Sequence, residues 1–183
     1  MQRYYQTIIL KACAFILLCF SFFSCSTIPD GAIAVQDFDQ TKYLGKWYEI
    51  ARLDFKYERD LNNTTAEYSL KENGMIKVDN NGYNSKKEEW TQAIGKAKFV
   101  DDPEVAMLKV SFFGPFYSGY NVIAIDEDYQ YALVAGASLD YLWILSRTTT
   151  IPENVKKEYL DKAQKIGYKT EDLLWVEHNN QAK

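Results

Sequence analysis

Between residues 44 and 146, eight short β-rich runs follow one another, each ended by a turn signal, and this succession limits the chain to very few folds. In the first run, period-2 alternation puts Trp47, Glu49 and Ala51 on one face and Tyr48, Ile50 and Arg52 on the other. Gly45 lets the backbone turn sharply into that strand. A polar and aromatic loop, residues 54–63, follows. Residues 64–70 alternate Thr65, Glu67 and Ser69 with Ala66, Tyr68 and Leu70, the mark of a half-buried strand. Glu72-Asn73-Gly74 is a hairpin signal leading into residues 75–79, and Asn80-Asn81-Gly82 marks a further turn or bulge. Residues 88–100 are long enough for one strand bent at Gly95, and Asp101-Asp102-Pro103 breaks it. Residues 105–113, 120–125, 129–135 and 141–146 complete the set, with Gly114-Pro115 turning the first of these.

One segment has a different period. Thr150 and Glu153 are spaced as a capping box, and the helix they start runs to about residue 166, where Gly167 stops it. Val155, Tyr159, Ala163 and Ile166 form one apolar stripe on it, while the lysines lie largely off the stripe. Residues 173–176 look like a short added strand. Eight antiparallel strands in a meander leave two open edges unless the sheet closes on itself. The expected fold is therefore all-β: an eight-stranded antiparallel up-and-down barrel with the C-terminal helix packed outside. Such a barrel has room for side chains or one small ligand. Trp90, Phe99, Tyr120, Tyr131, Tyr141 and Trp143 are strand aromatics of which alternation lets about half face inward.

The start of the chain is of another kind. Residues 1–24 hold Arg3 and Lys11 in an otherwise uncharged stretch, with an apolar run over residues 12–23 that is short for a membrane span and suits a secretory leader. The leader ends at Phe22-Phe23-Ser24-Cys25, similar to the lipobox of bacterial lipoproteins, with Phe22 where that pattern prefers Leu. That similarity makes Cys25 the lipidation site; a plain cleaved leader and an uncleaved anchor are the alternatives. Residues 25–36 are then a lipidated Cys and a tether, and residues 37–183 the folded domain. Cys13, Cys19 and Cys25 are the chain's three cysteines, so the body beyond Ser26 has neither a disulfide nor a thiol nucleophile. The whole chain carries 21 basic and 25 acidic residues; the leader takes two of the basic ones, leaving 19 against 25 and a formal charge of −6. That balance argues against nucleic acid as a partner. The sequence has one histidine, His178, and no His/Cys cluster or Gly-rich phosphate loop, so no metal or cofactor is expected.

Three spaced motifs resemble the lipocalin family, and more narrowly its bacterial outer-membrane lipoprotein branch, related to apolipoprotein D. Gly45-Lys46-Trp47-Tyr48-Glu49-Ile50 resembles the family's first-strand Gly-x-Trp motif. Residues 120–126 with 131–134 resemble the second conserved region, whose usual Thr-Asp-Tyr is here the looser Asp126-Glu127-Asp128-Tyr129. Residues 141–148 resemble the third, ending in the hallmark basic residue, Arg147. The resemblance implies that Arg147 packs on Trp47 across the closed end, so that Gly45, Trp47 and Arg147 form the structural base of the barrel. It also implies a ligand class, fatty acid or lysophospholipid, and a membrane partner through the lipid anchor at the outer membrane. Trp143 becomes the leading cavity contact, with Phe55 and Tyr57 as gates at the mouth, Tyr120, Tyr131 and Trp90 as further ligand contacts, and Lys56 or Arg59 placed to meet a head group. The sequence leaves open whether two barrels pair as a homodimer.

Two other function classes stand beside the carrier. The barrel can be a scaffold acting through protein or membrane interaction, or a lipid-modifying enzyme. The second needs a thiol or a protonatable pair in the cavity, and Glu67, Glu89 and Asp126 read as solvent-facing carboxylates, so no catalytic residue is assigned.

Overall fold

A computed structural model describes residues 27–179 of the chain. The leader and Cys25 lie outside the described residues. The short helix α1 (Gln40–Tyr43) leads into β1 (Gly45–Leu53), followed by β2 (Leu61–Leu70), β3 (Ile76–Asn84), β4 (Glu89–Phe99), β5 (Met107–Ser111), β6 (Ser118–Ile125), β7 (Tyr131–Ala135) and β8 (Leu142–Ser146). Helix α2 (Glu153–Ile166) and the short strand β9 (Leu173–Trp175) end the fold. From β1 to β8 each strand pairs antiparallel with the next, and β1 also pairs with β8, which closes the barrel. β9 adds to the outer half of β1.

Period-2 alternation sorts the side chains into two cores. Ala132, Val134 and Leu145 face inward with Trp47, Tyr68, Ile76 and Val78. Leu133, Ala135, Leu142 and Ile144 face outward, where the buried Tyr159 and Ala163 of α2 cover them, flanked by Val155 and Ile166. The Tyr159 hydroxyl donates to the Tyr131 carbonyl at 2.9 Å and ties the helix to β7. Gly167 ends α2 in the left-handed region, φ 111°, as its place in the sequence predicts.

Four sequence expectations give way to the structure. First, β1 does not alternate cleanly: its register against β8 shifts between Glu49 and Ala51. Glu49 stands opposite the inward Leu145 and Arg52 opposite Trp143, so the bulge puts both charges on the inner face, where simple alternation separates them. Second, of the turn or bulge expected at residues 80–82 only the bulge exists, and it lies in the facing β2, whose register against β3 shifts between Asn62 and Thr65, while residues 80–82 themselves do not turn. They continue β3 in unbroken register with β4, and Gly82 is small because a Cβ there would come 2.9 Å from Thr64 Cγ2. Third, the cap of α2 is Pro152, with no side-chain hydrogen bond, instead of Thr150. Fourth, residues 27–36 lie along the barrel wall instead of hanging free. The Val35 amide donates to the Val122 carbonyl at 2.9 Å, and the Ala106 amide donates to the Val35 carbonyl at 2.9 Å.

Candidate ligand-binding site

The barrel floor is sealed before any cavity begins. The positive φ of Gly45, 91°, lets the chain leave α1 and enter β1 directly beneath Arg147. The Arg147 guanidinium lies 3.8 Å from the centre of the Trp47 ring, a cation–π stack on a fully buried indole. The same guanidinium donates to the carbonyls of Lys42, Tyr43, Leu44 and Lys46, and its Nε donates to that of Tyr129. Only a planar fork with this many N–H groups satisfies five carbonyls at once. Trp47 Nε1 donates to the Tyr43 carbonyl at 2.8 Å, so the whole floor is tied.

Above the floor lies a cavity of about 700 Å³, open at the far end. That volume is in the range of sites that take small organic ligands. Its lower wall holds three tyrosines. The Tyr120 hydroxyl sits 2.6 Å from that of Tyr43 and 2.8 Å from that of Tyr68. Burial raises all three phenols above their ordinary range, so they stay neutral donors. The middle wall is apolar, with Ala66, Val78, Ala97, Leu108 and Val110.

Near the mouth, Trp143 and the loop after β1 face each other. Trp143 stacks on Tyr141 at 6.3 Å, and Phe55 meets both edge-on, at 5.9 and 5.7 Å. Trp143 Nε1 donates to Glu58 Oε2 at 3.0 Å. Arg52 donates from one nitrogen to Glu49 Oε1 at 2.6 Å and from another to the carbonyls of Glu58 and Leu61. Its Nε faces Glu58 Oε2 at 4.0 Å, too far for a hydrogen bond. Two buried carboxyl groups thus flank one guanidinium, and only that of Glu49 accepts a hydrogen bond from it. Burial, with Glu49 alongside, pushes Glu58 up to about 8, against the Trp143 hydrogen bond and Arg52; burial also raises Glu49. At neutral pH Glu58 holds its proton and the cluster is close to neutral.

Four of the sequence-named ligand residues, Trp143, Phe55, Tyr57 and Tyr120, line this cavity, as do Lys56 and Arg59 at its rim. Lys56 lies over the Tyr57 ring at 4.7 Å, and Arg59 pairs with Asp54 at 2.8 Å. The structure places Tyr131 and Trp90 elsewhere. Tyr131 shares the outward face of β7 with Leu133 and packs in the core under α2. Trp90 sits on the outer face of β4 against its cross-strand partner Tyr83, ring centres 5.7 Å apart, because Thr91, Ala93 and Ala97 hold the inner face. Sequence reasoning missed Glu49 and Glu58. A carboxylate three residues before an arginine inside an apolar strand was the available signal for the first. Glu58 carried none, since its burial depends on how the loop folds back. Glu67 and Glu89 are exposed, and Asp126 accepts from the Gln130 and Tyr131 amides in the β6–β7 turn.

A family model described as a Lipocalin-like domain matches residues 38–178. The chain belongs to the lipocalin family. This lipocalin is 51% identical over 170 residues to the outer membrane lipoprotein Blc of Citrobacter freundii, covering 92% of this chain and 96% of that one. It is 38% identical over 128 residues to apolipoprotein D of Cavia porcellus, covering 64% of this chain and 65% of that one. Among solved structures, insecticyanin of the tobacco hornworm Manduca sexta superposes with a TM-score of 0.68 at 18% identity, over 83% of this chain and 87% of that one, a likeness of fold.

Proposed function

We propose that this lipocalin is anchored through a lipidated Cys25 in the outer membrane, where it binds single-chain lipids, fatty acids or lysophospholipids, and stores or transports them for membrane upkeep. The open apolar cavity carries the reading. Its walls match an acyl chain, its lower end offers tyrosine hydroxyls, and its rim offers Lys56 and Arg59 to a head group. The bacterial relatives supply the envelope address, since they are named outer membrane lipoproteins. Burying ten methylenes at about 0.8 kcal/mol each gives roughly 8 kcal/mol before the costs of association, so about micromolar is the tightest affinity that a chain of this length supplies by itself. A carrier that must release its cargo works in that range.

Of the chain's four tryptophans, Trp143 alone lines the cavity; Trp47 lies in the floor stack, and Trp90 and Trp175 are outside. Titrating the soluble body with palmitic acid and with palmitoyl lysophosphatidylethanolamine is expected to give a saturable change in tryptophan fluorescence that Trp143→Phe removes. If neither lipid gives a saturable signal, the carrier reading falls and the scaffold reading replaces it.

A further inference from the structure

The described chain begins at the open end of the barrel. The Thr27 carbonyl accepts from Asn121 Nδ2 at 2.7 Å, and it lies so close to Gly119 that a Cβ on that residue would collide with it. Gly119 is the second residue of β6, directly after the turn of residues 112–117 that rims the mouth. Ile28 and Ala32 then pack on the outer core, and Val35 is hydrogen-bonded to the wall, so this strap is fixed where it leaves the rim. Cys25 is two residues before Thr27, and two residues reach at most about 7 Å. An acyl chain on Cys25 therefore departs from the mouth end whatever path those residues take.

The rim has the surface that such a departure needs. Phe113 is 66% exposed and Phe116 78%, and Tyr57 lies beside Phe113 with ring centres 5.9 Å apart. Behind these rings, Lys96 and Lys98 reach over Tyr117 at 5.9 and 5.4 Å, and Lys56 covers Tyr57. Aromatic rings in front of lysines are the composition of a segment that sits in the head-group layer of a bilayer. The opposite end is unlike it: Asp101, Asp102, Glu104, Glu127 and Asp128 are all exposed there. Exposed Asp54, Glu88, Glu89 and Asp140 offset much of the basic charge at the mouth, whereas the acids at the floor outnumber the exposed Lys42, Lys46 and Lys71 of that end, so an anionic surface repels the floor end more strongly than the mouth.

We infer that the open mouth faces the membrane that holds the anchor, with the turn of residues 113–117 in its interfacial layer, so that a single-chain lipid passes between bilayer and cavity without crossing bulk water. The inference rests on the reading of Cys25 as lipidated. It is tested on the full chain matured in a host that lipidates it, with the mass of the N-terminal peptide read first. Beyond Cys25 the sequence has no thiol, so Phe116→Cys and Asp128→Cys each accept one environment-sensitive fluorophore. Both residues are exposed, so neither exchange disturbs packing. The labelled proteins are placed in vesicles of phosphatidylethanolamine and phosphatidylglycerol that contain a spin-labelled lipid. The expected result is strong quenching by the spin label at position 116, with little at position 128, where aqueous iodide quenches instead. Acylated protein quenched equally at both positions, or more at 128, overturns the orientation and leaves the anchor standing. An unacylated Cys25 overturns the anchor and the orientation with it.

Discussion

At the scale of single residues, the two arginines in the barrel do different work. Arg147 is partly buried, and its charge is spread over five carbonyls and one indole, so it acts as a plug. Arg52 is buried beside the Glu49 carboxylate and the Glu58 carboxyl, and fixes the mouth loop to the wall through the Glu58 and Leu61 carbonyls. This gives Glu58 a measurable signature. A carboxyl whose folded value is raised to about 8 binds more protons in the folded than in the unfolded chain between the ordinary carboxylate range and pH 8. Its contribution to stability is therefore complete below about pH 4 and is lost as pH rises toward 8. Urea midpoints measured from pH 5 to 8.5 are expected to fall with rising pH, and Glu58→Gln, whose amide oxygen can still accept from Trp143, is expected to flatten the fall by on the order of 2 kcal/mol. A variant that follows the parent curve would show that Glu58 is ionised in the folded protein.

At the scale of elements, the strands and hairpins were legible because they obey local rules: period 2 within each run, and Asn, Gly or Pro between runs. The helix and its end at Gly167 were legible for the same reason. What escaped was fixed by contacts between elements. The bulge in β1 leaves no mark in a stretch where both faces are bulky, yet it decides that Glu49 and Arg52 meet inside the barrel. Trp143, Phe55, Tyr57 and Tyr120 line the cavity, whereas Trp90 and Tyr131 do not, and alternation alone could not choose between these groups without one fixed inward residue per strand. The strap of residues 27–36 escaped for a further reason. It is held by the backbone hydrogen bonds of Val35 and by a few side chains, Ile28, Ala32 and Ala34, whose spacing follows no strand or helix period. Gly119 is where that strap shows itself. Gly119→Ala places a methyl against the Thr27 carbonyl, which must move away from Asn121. Hydrogen exchange over residues 27–36 is expected to accelerate in this variant, with a stability loss of roughly 1–3 kcal/mol. Unchanged protection there would mean that the strap is not held at its rim end.

At the scale of the whole molecule, the barrel keeps an unfilled interior and has no disulfide in its described body to offset it. Its stability comes from the tied floor below the cavity and from the core between sheet and helix outside it. A lipid entering the cavity supplies contacts that the empty wall lacks, and because the unfolded chain has no such pocket, binding and stability are linked. At free lipid 100-fold above a micromolar dissociation constant, the folded state gains about 2.7 kcal/mol. For a domain of this size each kcal/mol moves the melting midpoint by roughly 2–4 °C, so the midpoint rises by about 5–10 °C. Thermal melts followed by circular dichroism, with lysophosphatidylethanolamine kept below its micellar threshold, measure this directly. Glycerophosphoethanolamine, which has the head group and no acyl chain, separates the contributions: it is expected to leave the midpoint within about 1 °C, since the rim charges alone are solvated. A head group that stabilises as much as the whole lipid would move the binding energy from the cavity to the rim, and the barrel would then act as a surface receptor with an idle interior.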